Sequence, residues 1–330
     1  MSAERFRRPP TRREFLSLGT GIFVALSLPL AARYRVPLTR RSYPLMGTLA
    51  ELQVAHHDVR LAQDAIDAAL RELLWVERTM TRFRTDSDIG RANLGAAREA
   101  VPVTPATAEV LRAALRWAEA SDGRFDPALG AASELWDVLH RRVPPLEDPV
   151  RRLAGRGFWR SVDVDRYRGT PAIRFNDPEV RLDLGAIAKG YGIDRATAAL
   201  RRRGIRHGIV TVGGDLYALG TAPGGGPWHV GIRSPHEPAA LAATLDVSER
   251  AVATSGDYER YFQWRGARYH HLIDPDTAAP RRTPVRSTTV LADRCIDADA
   301  AATTVFGMPR EEAARTARRL AAGAEVIPLT

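Results

Sequence analysis

The residues best suited to chemistry surround Lys189, which is the only lysine among the 48 lysines and arginines of the 330-residue chain. It lies within residues 182–194, LDLGAIAKGYGID. A compact ammonium between small residues suits a site that cannot accept the planar guanidinium of arginine. The pattern predicts a buried strand over 180–184, a small-residue turn, and a helix that begins at Ile187 and stops at Gly204.

A helix that begins after such a turn presents unpaired backbone N–H groups and a positive dipole end, and both favour phosphate. The GxxxxGK[ST] loop is absent, and the spacing of Gly185 and Gly190 does not match the dinucleotide fingerprint. The residues therefore indicate an anion site without a common phosphate-binding motif. The alternative is that the small residues only allow the strand and the helix to pack closely.

Two further groups of residues could supply a metal site and a proton acceptor. Asp299 and Thr303 are four residues apart, so on a helix their oxygens share one face and could bind one hard cation. The alternative is a capping carboxylate at a helix start. His271 could accept a proton from a hydroxyl near neutral pH, whereas His270 would point to the opposite face of a strand. An isolated histidine is more often structural.

Around these residues the sequence predicts strands in hairpins and helices in blocks, which indicates an α+β fold rather than a doubly wound sheet. Helices are predicted over 61–80, 104–121 and 310–321. Strands are predicted over 49–54, 162–164, 172–175, 209–212, 216–219, 228–232, 288–295 and 324–329. The Pro-rich, charged residues 141–156 are predicted to form a surface excursion.

Charge and cysteine content exclude two classes of protein. The formal charge is +9, but residues 1–40 contribute +6 of it, which leaves +3 for the rest of the chain. Because basic and aromatic residues do not interleave either, we expect no nucleic-acid partner. The single cysteine, Cys295, excludes an internal disulfide framework and is expected to fill a core strand.

Residues 1–32 are predicted to be a twin-arginine export signal. Residues 11–16 (TRREFL) precede an apolar stretch over 16–32 that Pro29 interrupts and that is short for a membrane span. Residues 30–32 (LAA) fit a cleavage site only in part, so an uncleaved anchor at the inner membrane stays open beside a free periplasmic protein. Residues 33–42 are predicted to be a linker, and 43–330 one folded domain.

The motifs along the chain resemble, in order, those of the ApbE family, the FAD:protein FMN transferases. The run around Lys189 resembles the family's DLGxIAKGYxxD. The other matching segments are 46–48 (MGT), 80–93 (MTRFRTDSDIGRAN), 123–127 (GRFDP), 135–136 (LW), 212–215 (VGGD), 227–232 (PWHVGI), 253–259 (ATSGDYE), 270–275 (HHLIDP) and 298–303 (ADAAAT). Each match is weak, but their number and order make the resemblance specific.

The resemblance implies a T-fold-related α+β architecture with mixed and antiparallel sheets, packed helices and a cofactor cleft between two lobes. It also implies a Mg²⁺-dependent transferase that cleaves its substrate FAD, releases AMP and attaches FMN by a phosphoester bond to a Ser or Thr of a partner protein. By position, His271 is the implied proton acceptor. The implied metal ligands are the Ala186 carbonyl, Asp299 and Thr303. Several relatives have a further carboxylate where this chain has Ala302.

The residues that the resemblance places against the flavin dinucleotide are Met46, Phe83, Phe125, Asp126, Asp183, Lys189 and Leu272. The Phe rings offer faces for stacking, Lys189 a charge for phosphate, and the aspartates acceptors for hydroxyls. Core packing is the alternative for both Phe residues. Phe83 stands where many relatives have Tyr or Trp. Ala278 replaces the usual glycine of TGxP, so that turn cannot rely on glycine.

The implied acceptor protein carries a D-x-x-[ST]-x-A-[ST] motif, often on a membrane-associated redox subunit. Two other functions stay open. One is a flavin carrier that binds FAD without transferring FMN, and the other is a Mg²⁺-dependent FAD pyrophosphatase that uses water as the acceptor. The narrower identity of a NosX-like accessory factor also stays open.

Overall fold

The computed structural model describes residues 36–237 and 240–330, together with the short strand Ile22–Phe23. Apart from that strand, the predicted export signal over 1–32 lies outside the described residues, as do residues 33–35 of the predicted linker. Within the described part, no helix is both long and apolar enough to span a bilayer.

The fold contains seventeen strands and eight α-helices in the described residues. The strands are β1 (Ile22–Phe23), β2 (Leu38–Leu45), β3 (Thr48–Ala55), β4 (Val101–Pro102), β5 (Val162–Tyr167), β6 (Thr170–Phe175), β7 (Gly208–Val212), β8 (Asp215–Leu219), β9 (Trp228–Arg233), β10 (Leu241–Val247), β11 (Arg250–Gly256), β12 (Tyr261–Trp264), β13 (Ala267–His270), β14 (Ile273–Asp274), β15 (Ala279–Pro280), β16 (Ser287–Ala292) and β17 (Glu325–Leu329). The helices are α1 (Val59–Met80), α2 (Asp88–Gly95), α3 (Pro105–Ala120), α4 (Gly130–Trp136), α5 (Glu147–Leu153), α6 (Ala188–Arg202), α7 (Cys295–Val305) and α8 (Arg310–Arg318).

A seven-stranded antiparallel sheet, in the order β17-β16-β11-β8-β7-β3-β2, forms the centre of the molecule. Both of its faces are buried. Val210 of β7 belongs to the large core shared with α1, α6 and α7, whereas the adjacent Ile209 packs with Trp228 of β9 and Val247 of β10. Because successive strand residues face opposite sides, the central strands β7 and β8 are buried along their whole length.

The start of α6 and the start of α7 are joined closely. A Cβ added at Gly190 would lie 2.2 Å from the Cys295 carbonyl oxygen, so only glycine allows this approach. The carboxylate of Asp194 accepts hydrogen bonds from the backbone N–H groups of Cys295 and Ile296, at 2.8 and 3.0 Å. In return, Asp299 accepts one from the Gly190 N–H at 3.0 Å. Each helix therefore satisfies backbone donors of the other.

The predicted helices are confirmed as α1, α3 and α8, although α8 ends three residues early, at Arg318. The predicted strand pairs are confirmed as β5 with β6 and β7 with β8. The helix after the Lys189 turn is α6, and Gly204 after its end has a φ of 80°. The excursion over 141–156 contains one element that the sequence did not predict, the short helix α5.

The predicted buried strand over 180–184 is wrong. Its apolar residues Val180, Leu182 and Leu184 are buried, but the segment forms only an isolated bridge between Arg181 and Leu129. The Asn93 side chain accepts from the Leu182 N–H and donates to the Leu182 carbonyl, and the Asp183 N–H donates to the Pro127 carbonyl. A side chain and a loop thus satisfy the backbone groups that a neighbouring strand would otherwise satisfy.

Two predicted boundaries also differ from the structure. Cys295 is buried as expected, but it opens α7, because β16 already ends at Ala292. Residues 38–42 of the predicted linker belong to β2, which pairs with β3 at the edge of the main sheet. Pro44 is tolerated there because an edge strand can lack one N–H donor.

Candidate active site

Lys189, in the first turn of α6, lies between two buried carboxylates. Its Nζ is 2.6 Å from Asp215 Oδ2 and 2.7 Å from Asp299 Oδ1. Asp215 begins β8 directly after the Gly213–Gly214 turn, and Asp299 lies in the middle of α7. The main sheet and two helices therefore meet at one ammonium group.

Burial and charge have opposite effects on this cluster. Burial, together with the nearby charge of Asp299, raises the pKa of Asp215 to about 6, although the charge of Lys189 opposes this effect. Burial by itself would lower the pKa of Lys189, but the charges of Asp215 and Asp299 outweigh burial and raise it. The cluster thus holds a permanent cation between two acids, with a net charge near −1 when both are ionised.

The predicted metal ligands lie at the edge of this cluster. The Thr303 hydroxyl is one helical turn beyond Asp299 and is 3.2 Å from the Ser255 hydroxyl of β11. Ala186 lies in the turn before α6 and is partly buried against the main core. The described residues contain no group of three or more His, Cys, Asp or Glu side chains that could hold a metal. Carboxylate, hydroxyl and carbonyl oxygens nevertheless suit a hard cation that keeps open positions for substrate oxygens.

His271 follows β13 and is half-buried. Its Nδ1 is 3.4 Å from the Arg260 carbonyl, which can only accept, so Nδ1 carries the proton and Nε2 keeps its lone pair. Burial, followed by the positive charge of Arg260, lowers the pKa of His271 to about 3. The imidazole is therefore neutral, with a free acceptor nitrogen, throughout the physiological pH range.

His270 has a different environment from its neighbour. It is buried, its Nε2 donates to the Arg281 carbonyl at 2.8 Å, and its Nδ1 accepts from the Leu272 N–H at 3.2 Å. The Arg281 guanidinium in turn donates to the Thr303 carbonyl at 2.8 Å. This chain of contacts joins the histidine segment to the end of α7, so it brings the predicted base and the predicted metal ligands into one region.

Met46 and Gly47 form a tight turn between β2 and β3, with φ values of 52° and 67°. Glu77 of α1 holds this turn by accepting from the Met46 N–H at 2.6 Å. The Gly47 carbonyl lies 3.4 Å from a guanidinium nitrogen of Arg260. The predicted Met46 contact is therefore on the same side of the site as His271.

The other predicted flavin contacts are spread around the site. Phe83 is 80% exposed and its ring stacks under the guanidinium of Arg82, whereas Phe125 is buried in the main core. Core packing, the alternative for both rings, therefore describes Phe125 but not Phe83. Leu272 is buried beside His271.

The two predicted aspartates both bind backbone groups. Asp183 pairs with Arg82 at 3.0 Å and accepts from the Gly185 N–H, which shapes the turn before Lys189. Asp126 accepts from the Ala128 N–H at 2.8 Å. Burial raises the pKa of Asp126 to about 6, although its backbone hydrogen bonds oppose that effect.

Residues 46–327 match the model of the ApbE family. The chain belongs to the ApbE family. It is 35% identical over 300 residues to the FAD:protein FMN transferase of Treponema pallidum, an alignment that covers 85% of this chain and 81% of the relative. It is 31% identical over 275 residues to the enzyme of that name from Vibrio cholerae, covering 82% of this chain and 81% of the relative.

Solved structures support the same assignment. The flavin transferase ApbE from Vibrio cholerae matches with a TM-score of 0.76 at 28% identity, covering 89% of this chain and 93% of the other. The ApbE protein of Thermotoga maritima matches with a TM-score of 0.80 at 27% identity, covering 88% and 94%. The family, the α+β fold and the transferase class that the sequence predicted are confirmed.

Three residues of this ApbE protein belong to the site although the sequence by itself indicates no role for them: Asp215, Glu259 and Arg260. Asp215 and Glu259 lie in the GGD and ATSGDYE segments that match family motifs, so their positions in these motifs could have indicated a role. Glu259 Oε1 is buried without a hydrogen-bond partner among the described residues, and burial, with the charge of Asp215, raises the pKa of Glu259 to about 8. Arg260 follows directly, and no quoted motif includes it.

Proposed function

We propose that this protein is an FAD:protein FMN transferase. It would cleave FAD at the pyrophosphate, join the FMN half through a phosphoester to a Ser or Thr of a partner protein, and release AMP. The observation that carries this proposal is a neutral histidine with a free Nε2 beside two buried aspartates that share Lys189, in a chain of the ApbE family.

The reaction is a phosphoryl transfer, in which positioning and charge neutralisation provide most of the catalysis. The acceptor hydroxyl oxygen forms a bond to the FMN phosphorus as the bond from that phosphorus to the AMP oxygen breaks. The hydroxyl proton passes to Nε2 of His271. Because burial and the charge of Arg260 keep the pKa of His271 low, the imidazole is available as an acceptor at neutral pH.

Mg²⁺ is proposed as the metal, with the Ala186 carbonyl, Asp299 and Thr303 as its protein ligands. When bound, it would neutralise phosphate charge. Asp299 is already held in position by Lys189 and by the Gly190 N–H, and Thr303 by Ser255. With Ala302 buried and apolar, this chain offers no side-chain oxygen at that position.

The partner and the location are proposed on the motifs alone. The acceptor is a protein with a D-x-x-[ST]-x-A-[ST] segment, on a membrane-associated redox subunit. The twin-arginine pattern at residues 11–16 supports export to the periplasm.

The test is incubation of the protein with FAD, Mg²⁺ and a peptide that carries the acceptor motif, followed by mass spectrometry. We expect a peptide heavier by one FMN and an equal amount of AMP, and no adduct on a peptide with Ala in place of the acceptor residue. AMP without an adduct would indicate a pyrophosphatase instead. Bound FAD without AMP would indicate a carrier.

A further inference from the structure

Lys189 by itself does not supply the positive charge that would balance the phosphates of FAD. Its ammonium is engaged by Asp215 and Asp299 at 2.6 and 2.7 Å. With both acids ionised, these three side chains together are negative. A diphosphate would therefore need positive charge from elsewhere on the protein in addition to any metal.

Arg260 is positioned to supply that charge. It lies between β11 and β12, and its own carbonyl accepts hydrogen bonds from the His271 backbone N–H at 3.1 Å and from the ring nitrogen Nδ1 at 3.4 Å. Its guanidinium extends across to the Met46–Gly47 turn, where the Gly47 carbonyl is 3.4 Å away. The side chain thus spans the space between the proposed base and that turn.

The guanidinium of Arg260 also lacks a counter-charge. Within residues 36–237 and 240–330, it forms no ion pair, and its hydrogen-bond partner is a neutral carbonyl. The adjacent Glu259 forms no ion pair with it in the described residues, and burial raises the pKa of that carboxyl to about 8, although the charge of Arg260 opposes this effect. Of the two cations whose charge lowers the pKa of His271, Lys189 is paired and Arg260 is not.

The other arginines near the site already bind carboxylates or backbone carbonyls. Arg82 pairs with Asp183 and with Glu134, both at 3.0 Å. The buried Arg281 uses its guanidinium on the backbone carbonyls of Thr303 and Arg124. These arginines hold segments together, whereas most of the five N–H donors of Arg260 remain available to a ligand.

We propose that Arg260 binds the diphosphate of FAD and so holds the reacting phosphoryl group beside His271. The identity of this ligand rests on the proposed function. A guanidinium matches two phosphate oxygens with two parallel hydrogen bonds, which a lysine cannot do. Because the same residue supplies the carbonyl that orients His271, binding of phosphate to its side chain fixes phosphorus and base relative to each other.

The test compares Arg260→Gln, Arg260→Lys and the control Arg265→Gln in the full-length protein. Arg265 is an exposed arginine at the tip of the same hairpin, beside Trp264. Dissociation constants are measured with Mg²⁺ for three ligands: FAD, ADP, which has the diphosphate without a flavin, and riboflavin, which has the flavin without a phosphate. Thermal unfolding of each variant checks that it is folded.

We expect Arg260→Gln to weaken binding of FAD and ADP by about tenfold to a hundredfold, as for the loss of charged hydrogen bonds. Riboflavin binding should not change, Arg260→Lys should fall between wild type and Arg260→Gln, and Arg265→Gln should match wild type. Equal losses for riboflavin and ADP, or unchanged ADP binding, would overturn the proposal. So would a variant that binds FAD normally but has a raised KM for the acceptor peptide.

These measurements separate the two proposals. If the wild type binds FAD and ADP but never forms an FMN adduct, the proposed transfer fails while the role of Arg260 can still be read from the binding constants. If the wild type forms the adduct and Arg260→Gln leaves ADP binding intact, the role of Arg260 fails alone. A wild type that binds neither ligand contradicts both.

Discussion

The site has two sides on which the charged groups are arranged differently. We call Lys189, Asp215 and Asp299 the helix side, and Arg260 and His271 the hairpin side. On the helix side, Asp215 and Asp299 are buried, and both pair with the partly buried ammonium of Lys189. On the hairpin side, His271 is neutral and Arg260 has no ion pair in the described part of the chain. Paired buried charges fix geometry, whereas an unpaired cation and a free imidazole nitrogen can still bind or react. We therefore expect the helix side to hold the geometry of the site and the hairpin side to supply its reactive groups.

The largest effect is expected from the hairpin side. His271→Ala should reduce FMN transfer by about 10²–10⁴-fold, because a general base is lost. FAD binding and thermal stability should change little, since the main contact of the ring is one long hydrogen bond at 3.4 Å. Adduct formation, flavin binding and thermal unfolding would be measured together.

The neighbouring His270 is the matched control. Both of its ring nitrogens are hydrogen-bonded and the ring is buried, so His270→Ala should lower stability. If His271→Ala kept normal transfer, or if the two variants behaved alike, the contrast between the two sides would not hold.

The next largest effect is expected on the helix side, and on stability. Lys189→Met keeps the length of the side chain but leaves Asp215 and Asp299 buried without a cation, which costs about 3–5 kcal/mol. The shift in the urea midpoint at neutral pH measures this. The control is Arg151→Met, which removes an exposed ion pair with Glu147 and should cost about 0–1 kcal/mol. Equal losses of stability in the two variants would show that the cluster stabilises the fold no more than an exposed ion pair does.

The titratable groups on the two sides of the site should also take up protons at different pH values. The pKa of Asp215 is about 6, whereas that of His271 is about 3. As pH falls, Asp215 therefore takes up its proton first and the imidazole remains neutral. We expect the transfer rate to show an acid step near pH 6, and Asp215→Asn, which cannot titrate, to remove that step. A step of the same midpoint in Asp215→Asn would contradict this interpretation and would point to another group of the site, such as Asp126, whose pKa burial also raises to about 6.

The smallest effect is expected at the edge of the cluster. Ser255→Ala removes the 3.2 Å contact with the Thr303 hydroxyl, which is worth about 0.5–1.5 kcal/mol. The concentration of Mg²⁺ that gives half-maximal transfer should rise slightly, and it should rise much more in Thr303→Ala. If the two variants had the same requirement for Mg²⁺, Ser255 would be a ligand rather than a support.

Much of the fold could be predicted from the sequence, because local patterns decide it. The long helix α1 has an apolar stripe with helical spacing, and β7 and β8 flank a two-glycine turn. The error over residues 180–184 has a different origin. An apolar run predicts burial but not the partner that satisfies its backbone, and here that partner is Asn93, 89 positions away from Leu182 in the sequence.

The candidate site was also predictable in part, because motifs are local features of the sequence. Residue types and spacing offered Lys189, His271 and the Asp299–Thr303 pair as candidates, and the resemblance to the ApbE family implied their roles. Whether an ammonium is free or paired depends on contacts between distant segments, and Lys189 meets Asp299 across 110 positions. The contrast between the paired Lys189 and the unpaired Arg260 therefore appears only in three dimensions.

The reciprocal contacts between α6 and α7 have a consequence for motion. Asp194, Asp299 and the close approach at Gly190 fasten the starts of these helices at several points, so neither start can shift without the other. Amide hydrogens there should exchange slowly with solvent, and with the same opening rate. The two-stranded β12–β13 ribbon pairs with no third strand among the described residues, so its amide hydrogens should exchange sooner than those at the two helix starts.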